Sequence, residues 1–214
     1  MDNSILRSAI ILGGFALATT FLIGLTYFFT APHIADAKQA QLMSTLNKLV
    51  PAKMHSNELY KDCVLLAPDP LLGNTEKTLR VFRARKNDED TALIIETTTP
   101  NGYSGDIDLV MAINKAHEVL GARVIAHKET PGLGDKIDLR VDNWILQFNQ
   151  VALDQSNLQA WQVKKDGGKF DQFTGATITP RAVVEAVKNA GLYAIRNEQF
   201  LYTATSDCMV TNND

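Results

Sequence analysis

The segment Thr174-Gly175-Ala176-Thr177 combines two hydroxyl side chains with small residues directly before a predicted helix. The first N–H groups of a helix have no intrahelical partners, and the helix macrodipole is positive at this end. Such a helix start is suited to bind an anion such as phosphate. A phosphate held there lies within reach of the Thr177 hydroxyl, so a phosphorylated cofactor can be bonded to the protein at that residue.

The helix that follows is predicted from its caps and its periodicity. Thr179 is the predicted N-cap, and Pro180 suits the first helical position, where its missing N–H costs nothing. Apolar and small residues then recur at helical spacing on one face, namely Val183, Val184, Val187, Gly191 and Ile195. Taken alone, the four residues 174–177 also fit a plain turn that leads into an amphipathic helix.

Two further segments have the composition of ligand-binding turns. Glu129-Thr130-Pro131-Gly132-Leu133-Gly134 follows a predicted strand and forms a rigid turn whose backbone can approach a ligand closely. Asn101-Gly102-Tyr103-Ser104-Gly105 places one aromatic ring between flexible backbone points, which suits stacking on a planar ring. Each segment also fits an ordinary surface loop. A dinucleotide fingerprint is not predicted, because Ile137 stands where its third glycine belongs.

Composition argues against several classes of function. The chain has 214 residues, a net charge of −3 and no stretch rich in Lys and Arg, so nucleic acid is not an expected partner. The four histidines share no ligand-like spacing, and we predict no metal site; they are His33, His55, His117 and His127. No catalytic acid, base or nucleophile is identified.

The N-terminus carries a candidate membrane anchor. No residue from Ser8 to Pro32 is charged, and the 21 residues 9–29 are mostly apolar. As a helix, a segment of that length spans a hydrocarbon core of roughly 30 Å. It is longer than the apolar core of a signal peptide, although a signal peptide is the alternative interpretation. The predicted organisation is a cytoplasmic tail (1–8), a transmembrane helix (9–29), a helical stalk (30–52) and an exported domain (53–214).

The orientation of the anchor in the membrane determines whether the two cysteines lie in an oxidising compartment. Only Arg7 and the amino terminus are positive on the short side, so the distribution of lysines and arginines gives little guidance. A hydrophobic segment after so short a leader favours export of the long domain. In an oxidising compartment the two cysteines, Cys63 and Cys208, favour a disulfide, with two free buried thiols as the alternative.

The exported domain is predicted to be α+β, with a curved, mostly antiparallel sheet and a few helices. Strand signals cover Leu79–Ala84, Ala92–Thr97, Ile107–Ile113 and Val119–Ala126. The polar turn 87–90 predicts a hairpin between the first two strands. Residues 138–149 are ambiguous and lean helical.

Together these segments resemble the covalent FMN-binding domain of two proteins: the G subunit of the Rnf electron-transport complex and the C subunit of the sodium-pumping NADH:quinone reductase. The resemblance covers nearly the whole chain. It rests on Asp171-x-x-Thr174-Gly175-Ala176-Thr177, on the segments 129–134 and 102–105, and on the single anchor. The short soluble part and the run from Phe173 onward look most like the Rnf protein.

The resemblance implies that FMN is joined through its phosphate to Thr177 by a phosphoester bond that a dedicated flavin transferase makes. Asp171 then belongs to the pattern that the transferase recognises. The remaining implied cofactor-binding residues are Thr174, Gly175 and Ala176, which shape the turn, Glu129, Thr130, Gly132, Leu133 and Gly134, which line the isoalloxazine ring, and Tyr103. Thr174 stands where many members of the family have Ser, and it keeps a hydroxyl.

The implied function is that of a flavoprotein subunit of an ion-translocating oxidoreductase, a translocase of the bacterial inner membrane. Its domain is expected in the periplasm, where it relays electrons between other subunits of the complex. Two alternatives are a non-redox anchor or assembly subunit and a stand-alone FMN-dependent reductase. A scaffold has no need of Thr177 in this motif, which favours the redox role.

Overall fold

The computed structural model describes residues 3–73, 75–154 and 156–208. The first two residues of the predicted tail and the last six of the predicted domain therefore lie outside the described residues. The α-helices are α1 (Asn3–Leu49), α2 (Ile178–Arg196) and α3 (Glu198–Thr203). The strands are β1 (Cys63–Leu66), β2 (Leu79–Lys86), β3 (Glu89–Gly102), β4 (Gly105–Asn114), β5 (Glu118–Ala126) and β6 (Val151–Ala152). Short 3-10 helices cover Leu59–Lys61, Pro70–Leu72, Gly134–Ile137, Asn143–Phe148, Leu158–Ala160 and Lys164–Asp166.

The helix α1 contains the predicted anchor and most of the predicted stalk. It continues through Pro32 and ends at Leu49, shortly before Pro51. Within the described part of the chain it is the one helix that is long and apolar enough to cross a membrane, and none of its apolar window is buried in the chain. Residues 1–42 form one compact unit and residues 43–214 another.

The six strands form one open antiparallel sheet in sequence order, which confirms the predicted α+β class. The four predicted strands correspond to β2 to β5. Asn87 and Asp88 join β2 to β3 with φ values of 52° and 64°. A two-residue hairpin loop of type I′ requires positive φ at both positions, and Asn and Asp tolerate it better than most residues.

One face of the sheet packs against α2. Alternate side chains of β3 and β4, such as Leu93, Ile95 and Met111, are buried there with Val183 and Val187 of the helix. The predicted apolar face of α2 is thus confirmed. Burying each such side chain fully contributes about 1.5–3 kcal/mol.

Three features differ from the sequence prediction. The strands β1 and β6 were not predicted, because four and two residues are too short to show an alternating pattern. Residues 138–149 contain a 3-10 helix, Asn143–Phe148, rather than an α-helix. Its Trp144, Ile145 and Phe148 are buried, which accounts for the apolar spacing.

The C-terminal segment closes onto the β1 edge. The Asp207 N–H donates to the Cys63 carbonyl at 2.9 Å, and the structure joins Cys63 to Cys208 with Cα atoms 5.5 Å apart. That separation lies within the usual range of disulfides. The buried Arg83 guanidinium pairs with Asp62 and donates to the Ala204 carbonyl, so a charged network also holds this end of the chain.

We expect a Cys63→Ser/Cys208→Ser double variant to lose about 2–4 kcal/mol of unfolding free energy, because the bond closes a long loop in the unfolded chain. Urea denaturation of the compact unit formed by residues 43–214, which keeps the buried Leu46 and Leu49, measures this loss. Reduced wild-type protein is the matched control and is expected to behave like the variant. Recovery of both cysteines as free thiols from exported protein, on peptide mapping without reductant, would refute the disulfide.

Candidate functional site

A cavity of about 300 Å³ opens at the N-terminus of α2. The three segments singled out in the sequence meet there. This volume is at the lower end of the range for small-molecule sites. The lining residues are Tyr103, Glu129, Thr130, Leu133, Gly134, Gly175, Ala176, Thr177, Ile178 and Thr179.

The segment before α2 is a tight turn fixed by a buried aromatic ring. The Ala176 N–H donates to the Phe173 carbonyl at 3.2 Å, which closes a four-residue turn. Gly175, at its third position, has a φ of +81°, as a type II turn requires. Phe173 is buried, with its ring centroid 5.2 Å from that of Trp144. The turn therefore presents Ala176 and Thr177 to the cavity in a defined direction.

The start of α2 differs from the predicted start. The helix begins at Ile178 and Thr177 is its N-cap residue, so the prediction of Thr179 as N-cap is wrong. The hydroxyl of Thr179 is buried and donates to Glu129 instead of capping the helix. Pro180 becomes the third helical residue. The Thr177 side chain makes no capping hydrogen bond and lines the cavity.

The helix end supplies backbone donors to the same space. The N–H groups of Ile178 and Thr179 belong to the first turn and have no intrahelical acceptor, while Pro180 has no N–H. A 19-residue helix also places its positive dipole end here. The nearby Arg181 is paired with Asp166 at 2.7 Å, so its charge is already compensated. The donors that the cavity offers to an anionic group are therefore chiefly backbone N–H groups and hydroxyls.

Glu129 is the junction of the three segments. Its side chain is buried, and its two oxygens accept hydrogen bonds from the Ser104 N–H, at 2.9 Å, and from the Thr179 hydroxyl. Gly102 and Gly134 lie directly against this carboxylate. The hairpin tip between β3 and β4, the turn after β5 and the start of α2 are thereby held together.

The turn after β5 is closed by its own backbone. The Leu133 N–H donates to the Thr130 carbonyl at 3.1 Å, and Gly132 has a left-handed φ of +79°.

The turn leads into a short 3-10 helix that ends at Ile137, directly before Asp138. Hydrogen bonds from the Arg140 guanidinium hold the pKa of Asp138 below its usual value, so this carboxylate stays charged near neutral pH.

The mouth of the cavity is apolar and open. Tyr103, Leu133 and Ile178 all line the cavity, and their side chains are 69%, 46% and 48% exposed. Exposed apolar groups around a concave site are typical of ligand or partner contacts. A planar ring with one polar phosphate end matches this combination of apolar walls and helix-end donors.

The structure brings most of the predicted site residues together and leaves three outside the cavity. Thr174 and Gly132 do not line it, although both shape turns that do. Asp171 is exposed on the flank, where its side chain pairs with Lys164 and its carbonyl accepts from the Trp144 indole N–H at 2.6 Å. Ile178 and Thr179 also line the cavity and were not predicted as site residues, although their places next to Thr177 were a usable signal.

Two family models match the chain. An FMN-binding domain matches residues 102–191, and an RnfG N-terminal region matches residues 1–49. The first match contains all the segments that form the cavity.

Similar proteins extend over nearly the full chain. One from Pseudoalteromonas atlantica is 49% identical over 97% of this chain and 96% of its own length. One from Vibrio cholerae serotype O1 is 47% identical over 97% and 99%, and one from Shewanella piezotolerans is 43% identical over 99% and 100%. Each of these relatives is named as the G subunit of an ion-translocating oxidoreductase complex.

Proposed function

The chain belongs to the family of G subunits of ion-translocating oxidoreductase complexes, and we propose that it carries FMN as a phosphoester on Thr177. It acts as the membrane-anchored flavin subunit of such a complex. Other subunits deliver electrons to the site and remove them. A flavin transferase makes the ester during maturation from a flavin nucleotide in which FMN is activated as a pyrophosphate. The Thr177 oxygen bonds to the FMN phosphorus, the pyrophosphate P–O bond breaks, and a nucleoside monophosphate leaves while the hydroxyl proton is released.

The observation that carries the proposal is the state of the Thr177 hydroxyl. It lies at the N-cap of a 19-residue helix, makes no capping bond and lines an apolar cavity. A hydroxyl at an N-cap ordinarily accepts a hydrogen bond from the helix. Here the backbone donors remain for a phosphate bonded to that hydroxyl, so the residues present fit the phosphate end of FMN.

The remainder of the cavity fits the flavin ring. Tyr103, Leu133 and Ile178 provide apolar contact for the isoalloxazine, and their exposure leaves one side of the site open toward partners. FMN itself supplies one- and two-electron redox chemistry. The chain holds the ring, shields part of it from water and needs no proton-transfer residue of its own.

A covalent link has a physical advantage outside the cytoplasm, where free FMN is scarce. A dissociable flavin is lost by dilution, whereas a tethered one rebinds at an effective concentration on the order of mM. The ester also fixes the phosphate at the helix end. Affinity for the ring can then remain modest.

The Thr177→Ala variant, produced together with the flavin transferase, tests the attachment site. We expect a folded protein without covalent flavin, because the ester oxygen is gone. Intact mass measures the loss, since the ester adds the mass of FMN less one water, and in-gel fluorescence after denaturation gives a second readout. Thr177→Ser keeps a hydroxyl and is the matched control, expected to retain flavin.

Three results would count against parts of the proposal. Thr177→Ala protein that still carries the FMN increment would exclude Thr177. Wild-type protein that carries the increment when the transferase is absent would exclude the enzyme-made ester. Wild-type protein without flavin even in the presence of the transferase would leave the scaffold role as the better account.

The orientation of α1 in the membrane is tested separately. We propose that α1 spans the bacterial inner membrane with the short N-terminal side in the cytoplasm and the domain in the periplasm. A bond between Cys63 and Cys208 is consistent with an oxidising compartment. Alkaline phosphatase fused after the last residue is expected to be active, and a fluorescent protein that folds only in the cytoplasm is expected to be dark. The reverse pattern would overturn the orientation.

A further inference from the structure

We infer that Glu129, which lines the cavity, is a positioning residue: its carboxylate holds Thr179 to the hairpin tip and thereby aims Thr177 at the cofactor phosphate. The inference rests on the proposed function, because the attachment reaction is what the positioning serves. It adds to the role that the family resemblance implies for Glu129, which is to line the isoalloxazine ring.

The hydrogen bonds of Glu129 join it to two other segments of the protein. The residue is 5% exposed, Oε1 accepts from the Ser104 N–H at 2.9 Å, and Oε2 accepts from the Thr179 hydroxyl. A buried carboxylate is costly unless such donors satisfy it. Each oxygen accepts from a different segment, Oε1 from the hairpin tip and Oε2 from the start of α2, so the side chain acts as a brace between the two segments.

The glycines around Glu129 support the same role. A Cβ added at Gly102 would lie 2.3 Å from the Gly105 carbonyl oxygen and 2.8 Å from Oε1, and one added at Gly134 would lie 2.7 Å from Oε2 and 2.9 Å from the Thr179 hydroxyl oxygen. Neither glycine has a left-handed φ. At Gly134 the carboxylate and the Thr179 hydroxyl occupy the space of a side chain, whereas at Gly102 the Gly105 backbone and the carboxylate occupy it together.

The brace ends two residues from the attachment site. Thr179 lies in the first turn of α2, and Thr177 is the N-cap of the same helix. Fixing the Thr179 side chain fixes the rotation of that turn, and with it the direction of the Thr177 hydroxyl and of the free N–H groups. Ser104, on the other side of the brace, directly follows Tyr103, so the aromatic wall is set by the same carboxylate.

The test compares Thr179→Val with Thr179→Ser. Valine keeps the shape of threonine and removes the hydroxyl, whereas serine keeps the hydroxyl. Thr97→Val is the matched control, because Thr97 is 1% exposed and its hydroxyl has no hydrogen-bond partner in the structure. Each purified apoprotein is treated with the flavin transferase and the pyrophosphate-activated flavin nucleotide, and the initial rate of FMN attachment is measured well below its melting temperature.

We expect attachment to Thr179→Val to be slower by roughly tenfold or more, since small misplacements of a reacting group cost up to about 100-fold in rate. Thr179→Ser and Thr97→Val are expected to react at the wild-type rate. The visible circular dichroism of the attached flavin is expected to weaken only in Thr179→Val, because the ring is held less firmly. A loss of stability alone does not change either readout in folded protein.

The Glu129→Gln variant shows whether attachment depends on the position of this side chain or on its negative charge. It gives this answer even if Thr179→Val does not fold. Glutamine keeps the shape and can accept from Ser104 while donating to Thr179, so attachment close to the wild-type rate is expected. A large loss of attachment in folded Glu129→Gln would mean that the charge acts directly on the cofactor, and would overturn the inference. Wild-type attachment and wild-type dichroism in folded Thr179→Val would overturn it as well, whereas a wild-type protein that takes no flavin refutes the proposed function instead.

Discussion

The buried carboxylate of Glu129 is the constraint on which the site depends. A carboxylate that is 5% exposed needs hydrogen-bond donors, and these come from two segments far from it in the sequence. The tip of the β3–β4 hairpin and the start of α2 must therefore both meet the turn after β5. The cavity is the space between these three segments. Thr177 lines it because the hydrogen bond from Thr179 to Glu129 fixes the start of α2.

The sheet makes that meeting possible. A sequential antiparallel meander places the β3–β4 tip and the end of β5 near each other, since Asp108 of β4 pairs with Ala126 of β5. The helix α2 packs across the same sheet, and its N-terminus lies near the β3–β4 tip and the end of β5. At the β1 edge, the Arg83 network and the Cys63–Cys208 pair hold residues 204–208.

The parts of the fold that could be predicted are those with a sustained pattern. Strands β2 to β5 alternate or run apolar over several residues, and the buried face of α2 repeats at helical spacing. The helix start could not be predicted correctly, because Thr179-Pro180 has ideal local capping chemistry that a buried carboxylate overrides. Likewise, Gly132 and Thr174 belong to the right turns, but only the three-dimensional structure shows that neither lines the cavity.

The most direct test of the account is to locate the flavin on the chain. Trypsin releases residues 170–181 as one peptide that contains three threonines, Thr174, Thr177 and Thr179. Fragmentation mass spectrometry of this peptide from transferase-treated protein distinguishes them. We expect the FMN increment on Thr177 alone. An increment on Thr174 or Thr179, or an unmodified peptide, would exclude Thr177 as the attachment residue.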